Sequence, residues 1–106
     1  MSQRKLVHRP AARRDLASAV SYLRAEGGSS TAHRFVDEVE ATFTRLCSFP
    51  HLGTPWPTTN PELDGLRRRT LPHFPYSVFY LPTETTIEIV RVLHHRQDFP
   101  PLLENI

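Results

Sequence analysis

Two helix-like stretches, separated by Glu26-Gly27-Gly28-Ser29-Ser30, constrain this chain more than any other feature. Before the break, Ala12, Leu16, Ala19, Val20 and Leu23 recur at helical spacing, and Arg13, Arg14, Ser18, Ser21 and Arg24 fall elsewhere on the wheel. After it, Phe35, Val39, Phe43 and Leu46 repeat the pattern, flanked by Val36 and Cys47. Pro10 suits a first helical turn, where its missing N–H has no partner to lose. Gly27 and Gly28 end the first helix by accepting backbone conformations that a side chain would oppose. Ser29, Ser30 or Thr31 is placed to cap the second helix, which stops before Pro50. Two amphipathic helices with so short a link form an antiparallel hairpin with an apolar face to bury.

The rest of the chain supplies a sheet for that face. Residues 5–9 read as a short strand ahead of the hairpin. The segment FPHLGTPWPTTNPELDG carries Pro50, Pro55, Pro57 and Pro61, which remove donors and fix φ, so it reads as a loop. Its length is unusual in a compact domain and hints at a structured or functional excursion, pinned by packing of Trp56. Three strands follow at 66–71, 76–81 and 86–94, with Pro-Thr-Glu-Thr (82–85) suited to a tight turn between the last two. The expected fold is α+β, in the order β-α-α-β-β-β. The helical hairpin packs on one face of a small, mainly antiparallel sheet. Residues 1–106 form one domain, and Pro100 and Pro101 end the regular structure, leaving a short tail.

Composition narrows the chemistry. The formal net charge is only +2, yet residues 1–14 carry five Lys or Arg and no acid until Asp15, and Arg67, Arg68 and Arg69 are consecutive. Such patches suit anionic partners, nucleic acid or an acidic protein surface, and equally a solvated face. The single cysteine, Cys47, excludes an internal disulfide and is compatible with a reducing compartment. No secretory signal follows the basic start, and the longest aliphatic-aromatic run, Val78 to Leu81, is far below the roughly 20 residues of a membrane helix. A cytoplasmic location is expected. With four glycines in all, the chain has no P-loop, dinucleotide or nucleophile-elbow pattern, so no cofactor is expected. His94, His95 and Asp98 lack the spacing of a zinc site, and no metal is expected.

Acid–base cleavage of RNA is the enzymatic option. It needs a base, an acid and cations around a charged phosphorane, which histidine and arginine supply. Strand alternation places Arg67 and Arg69 on one face and Arg68 on the other, and Arg91 with His95 opposite His94. A site built from Arg69 with His94 or His95 is geometrically possible; spacing alone reads these residues as polar strand ends.

Several ordered strings resemble the RelE/ParE superfamily of toxins from bacterial type II toxin–antitoxin modules, and most closely its ParE branch, the plasmid stabilisation proteins. They are Ala12 with Asp15-Leu16, Phe35, FPHLG (49–53), LRRR (66–69), FPYSVFY (74–80) and IEIVRVLHHRQDF (87–99). The resemblance implies a toxin that poisons DNA gyrase without an active site of its own and is neutralised by a cognate antitoxin. RelE-like relatives instead cut messenger RNA on the ribosome, typically with an arginine where this chain has Ser77. A neutral, short serine does not replace that cation, so Ser77 weighs against the ribonuclease reading with Arg69, His94 and His95. On the ParE reading, Arg67, Arg69 and Arg96, with the C-terminal tail, are the expected target contacts. Leu16, Val20, Leu23, Phe35 and Val39, with an exposed sheet edge, are the expected antitoxin contacts. Direct binding of nucleic acid is left open, as is a degenerate, non-toxic binding protein.

Overall fold

A computed structural model describes residues 3–104, so the ends of the domain expected over 1–106 lie outside the described residues. Strand β1 (Lys5–His8) leads into α1 (Pro10–Ser48), followed by β2 (Thr54–Pro55), a 3-10 turn (Pro61–Leu63), β3 (Arg67–Thr70), β4 (Tyr76–Pro82), β5 (Thr86–His94) and α2 (Phe99–Glu104). Two helical runs make up α1, and Gly28, at φ 84°, ψ 175°, separates them. A straight helix of 39 residues would be about 58 Å long. The longest dimension of the molecule is 38 Å, so the chain folds back at Gly28. The expected hairpin is therefore present as two helical arms, residues 10–27 and 29–48, about a single glycine of positive φ. Thr31 does not cap the second arm as expected: its Oγ1 donates to the carbonyl of Gly27 at 2.8 Å, tying the arms together across the bend.

The sheet order is β1-β5-β4-β3-β2. The β2–β3, β3–β4 and β4–β5 pairs are antiparallel. Strand β1 joins β5 in parallel, which the helical crossover permits. The proline-rich segment is less irregular than expected, because Thr54 and Pro55 add an edge strand and Asn60 caps the 3-10 turn through Oδ1. Proline is tolerated at such an edge, where one side of the strand needs no ladder bond.

Both faces of the sheet are covered. Phe35, Val39, Phe43 and Leu46 of the hairpin pack with Tyr76, Val78, Tyr80, Ile87, Ile89 and Val92. On the opposite face, Phe79, Leu81, Val90 and Leu93 meet Leu63, Leu66 and Leu103. Strand β4 is consequently buried along nearly its whole length, as strands covered on both faces are. The second cover is a correction to the sequence reading, because residues 99–104 form a helix instead of a tail. Pro100 and Pro101 fall in its first turn, where missing N–H groups break nothing, and Leu103 is buried. A bulge in β5 sets the two faces. Phe79 opposes Arg91 and Tyr80 opposes Ile89, leaving Val90 without a partner. Val92 thereby faces the hairpin with Ile87 and Ile89, and Val90 and Leu93 face α2.

Candidate functional site

Contacts among the family-like strings hold the fold together at three points. Strand β1 ends at His8, so the upper part of β5 has no neighbour on that side. The carboxylate of Asp15 fills the gap. Its Oδ2 accepts from the Val92 N–H at 3.0 Å, and both oxygens accept from Arg91, at 2.7 and 2.8 Å. Arg91 Nη1 also donates to the Leu102 carbonyl at 3.2 Å, so one guanidinium joins the hairpin, β5 and α2. The bond to Asp15 raises the Arg91 pKa against the opposing effect of burial. Paired in this fork geometry, Arg91 is a structural clamp.

FPHLG meets FPYSVFY at a second such point. The Tyr80 hydroxyl accepts from the Gly53 N–H at 2.8 Å and donates to the Pro50 carbonyl at 2.9 Å. Burial raises the Tyr80 pKa and keeps the phenol a donor. A Cβ on Gly53 would lie 2.7 Å from the Arg68 carbonyl oxygen and 2.8 Å from the Tyr80 ring, so only glycine allows this approach. Arg67 braces the same loop, donating from Nε to the Gly53 carbonyl and from Nη2 to that of His51.

The alternation expected within Arg67–Arg69 is present. Arg68 lies on the α2 side, its guanidinium carbon 5.2 Å from the centroids of both Trp56 and Phe99. Its Nε donates to Ser77 Oγ at 2.9 Å. Ser77 is fully buried and also contacts His95 Nε2 at 2.9 Å and Thr70 Oγ1 at 3.3 Å. A hydroxyl has one donor and two acceptor positions. Arg68 fills one acceptor position, and Thr70 Oγ1 and His95 Nε2 take the remaining two positions. The pKa of His95 is lowered, first by burial, then by Arg68 and His94, with the Tyr76 backbone opposing. Arg68, Ser77 and His95 form a closed polar knot that sequence spacing missed, because a diagonal contact between β3 and β4 creates it.

Arg69, His94 and His95 are not gathered into one site. Arg69 lines a cleft with Arg34 and Arg45 of the second arm. The ring of His94 meets that of Tyr76 edge-on at 4.9 Å, and His95 turns to Ser77. His94, His95 and Arg96 do rim a common cavity of about 520 Å³, shared with Tyr22, Leu23 and Tyr76. Among the described residues no three His, Cys, Asp or Glu side chains converge as metal ligands. Burial raises the pKa of the Cys47 thiol, opposite to what a nucleophile requires.

Of the apolar residues expected at a partner surface, Phe35 and Val39 are core residues, 0% and 4% exposed. Leu16 and Val20 are half-buried and join them around a cavity of about 390 Å³ beside Leu6 and Phe43. Strand β1 borders that cavity. The N–H groups of Lys5 and Arg9 bond to β5, so by alternation the backbone of Leu6 and His8 faces outward as an open edge.

The model of the ParE toxin of the type II toxin–antitoxin system parDE matches residues 6–99. The chain belongs to the ParE toxin family. No curated protein matches the sequence. The fold is similar to a solved structure described as a chromosomal ParDE TA system from P. aeruginosa, with a TM-score of 0.71 and 22% identity. That match covers 87% of this chain and 96% of the other. The ParE match contains all three contact points: Asp15 with Arg91, Gly53 with Tyr80, and the Arg68–Ser77–His95 knot. No helix among the described residues of this ParE-family toxin is long and apolar enough to cross a membrane.

Proposed function

We propose that this ParE-family toxin arrests growth by poisoning DNA gyrase through surface contacts, and that its cognate antitoxin neutralises it. One observation carries the reading: Ser77 is buried and its hydroxyl is saturated by Arg68, Thr70 and His95. A phosphorane-steadying cation has no room there, and the nearest arginine is held between two aromatic rings. Poisoning requires tighter binding to one state of the gyrase–DNA cycle than to the next, because equal affinity for both shifts nothing. Arg69 and Arg96 are free to make such contacts, and Arg67 holds the loop beside them. For the antitoxin, the cavity walled by Leu16 and Val20 over Phe35 and Val39 suits an apolar helix face, and the open edge of β1 suits an added strand. Leu23 lies at the neighbouring cavity and would extend that contact toward the hairpin bend.

The purified toxin, added to gyrase with supercoiled DNA, should accumulate cleaved DNA; added to ribosomes with messenger RNA, it should leave the RNA intact. RNA cut without any DNA cleavage would sink the reading and restore the ribonuclease alternative. Removing the antitoxin's C-terminal segment should abolish neutralisation, and unchanged neutralisation would refute the antitoxin part.

A further inference from the structure

We propose that the cleft between the second arm of α1 and the β3–β4 loop docks an acidic, amphipathic segment of a protein partner, about three helical turns long. Three arginines line the cleft: Arg34 and Arg45 from one face of the arm, and Arg69 from β3. Among the described residues none of the three makes a hydrogen bond or an ion pair. One solvated arginine means little. Three around a single concavity of about 500 Å³ reinforce one another, because the low-dielectric walls concentrate their field.

The carboxylates of the cleft do not cancel this field. Glu38 is committed, since its Oε2 accepts from the His73 N–H at 2.9 Å and its Oε1 meets His73 Nδ1 at 2.8 Å. That double contact ties the arm to the β3–β4 loop and fixes the width of the cleft. Asp37 remains without a partner. Its charge would repel a run of phosphates, whereas a protein segment can offer it a cation, so the occupant is a peptide and not a nucleic acid. Leu52 and Phe74 add apolar surface between the charges, and Phe74 is held in place by edge-on contact with Phe35.

Arg34 and Arg45 lie eleven residues apart on one helix, about 16 Å along its axis. A complementary segment therefore carries carboxylates at a similar separation, with apolar side chains between them and a cation for Asp37. This inference deepens the contact-surface reading of Arg69 and rests on it.

The test is to pan a displayed library of random peptides roughly 16 residues long, enough to span the cleft as a helix, on the full chain. Enriched peptides should carry at least two acids around apolar residues. They should bind a combined Arg34→Gln, Arg45→Gln, Arg69→Gln variant about tenfold or more weakly, with its Tm unchanged. Peptides without an acidic excess, or equal binding to the variant, would overturn the proposal. So would a single-stranded oligonucleotide that binds the cleft in their place. Should the combined variant fail to fold, Asp37→Lys at its exposed position gives a second reading: it should tighten the acidic peptides, and unchanged binding would count against the site. The gyrase assay on the unmodified chain is independent. Acidic peptides binding without DNA cleavage would overturn the gyrase reading and leave the docking cleft standing.

Discussion

The two faces of the sheet are closed by different means. On the hairpin face, Phe35, Val39, Phe43 and Leu46 come from one continuous helix and bury a large aliphatic and aromatic core. On the other, the cover is assembled from Trp56 in a loop and from Phe99 and Leu103 in a six-residue helix, around Phe79 and Arg68. The first cover rests on many cooperative contacts along a long element. The second rests on a few side chains from segments too short to form alone. Stability should therefore concentrate on the hairpin side, with local opening of the α2 side costing less.

Core truncation should expose that difference most strongly. Phe35→Ala should lower stability by about 3–5 kcal/mol in chemical denaturation, because the hairpin cannot collapse around the gap. Leu103→Ala, equally buried, should cost about 2–3 kcal/mol, since a short terminal helix relaxes more easily. Equal losses for the two would remove the asymmetry. Ser77→Ala breaks the polar knot without a large cavity and should cost about 1–2 kcal/mol through the partners it strands. Hydrogen exchange in Ser77→Ala should then rise first in α2, and uniform loss of protection over both faces would mean that they unfold as one unit.

The smallest effect is a response to pH. His8, packed edge-on against Phe43, and His95, in the polar knot, lie on opposite faces, and the pKa of each is lowered. For His8 burial is the larger cause and Arg13 the second. With a folded pKa below the unfolded value of 6.5, each histidine binds fewer protons in the folded state. Their stabilising contribution is complete above 6.5 and declines as pH falls through the folded pKa. His8→Phe and His95→Gln should each flatten the loss of denaturation midpoint below pH 6.5, and an unchanged slope in both would show that other groups govern it.

Much of this was legible in the residues, unevenly so. Helical periodicity and the glycine pair defined both arms of α1, because a repeat over about three turns on each side outweighs any single exception. Four of the five strands were found within a residue or two, β2 having been read as loop, and His94 and His95 separated as alternation requires. The Val90 bulge was invisible, since one added residue in an apolar run leaves no compositional trace. α2 was missed for a different reason: consecutive prolines usually stop structure, and only their place in a first turn makes them harmless.

The candidate site divides in the same way. Sequence alone determined the helical arms, the strand faces of Arg67 to Arg69 and a short neutral side chain at position 77, all properties of local period or side-chain type. The tertiary structure decided that Arg68, not Arg69, reaches Ser77, which in turn meets His95, that Asp15 and Arg91 clamp the end of β5, and that Arg34 and Arg45 share a cleft with Arg69. Those meetings join residues from 9 to 76 positions apart. They depend on strand register and on how the arms pack against the sheet, which no local pattern encodes.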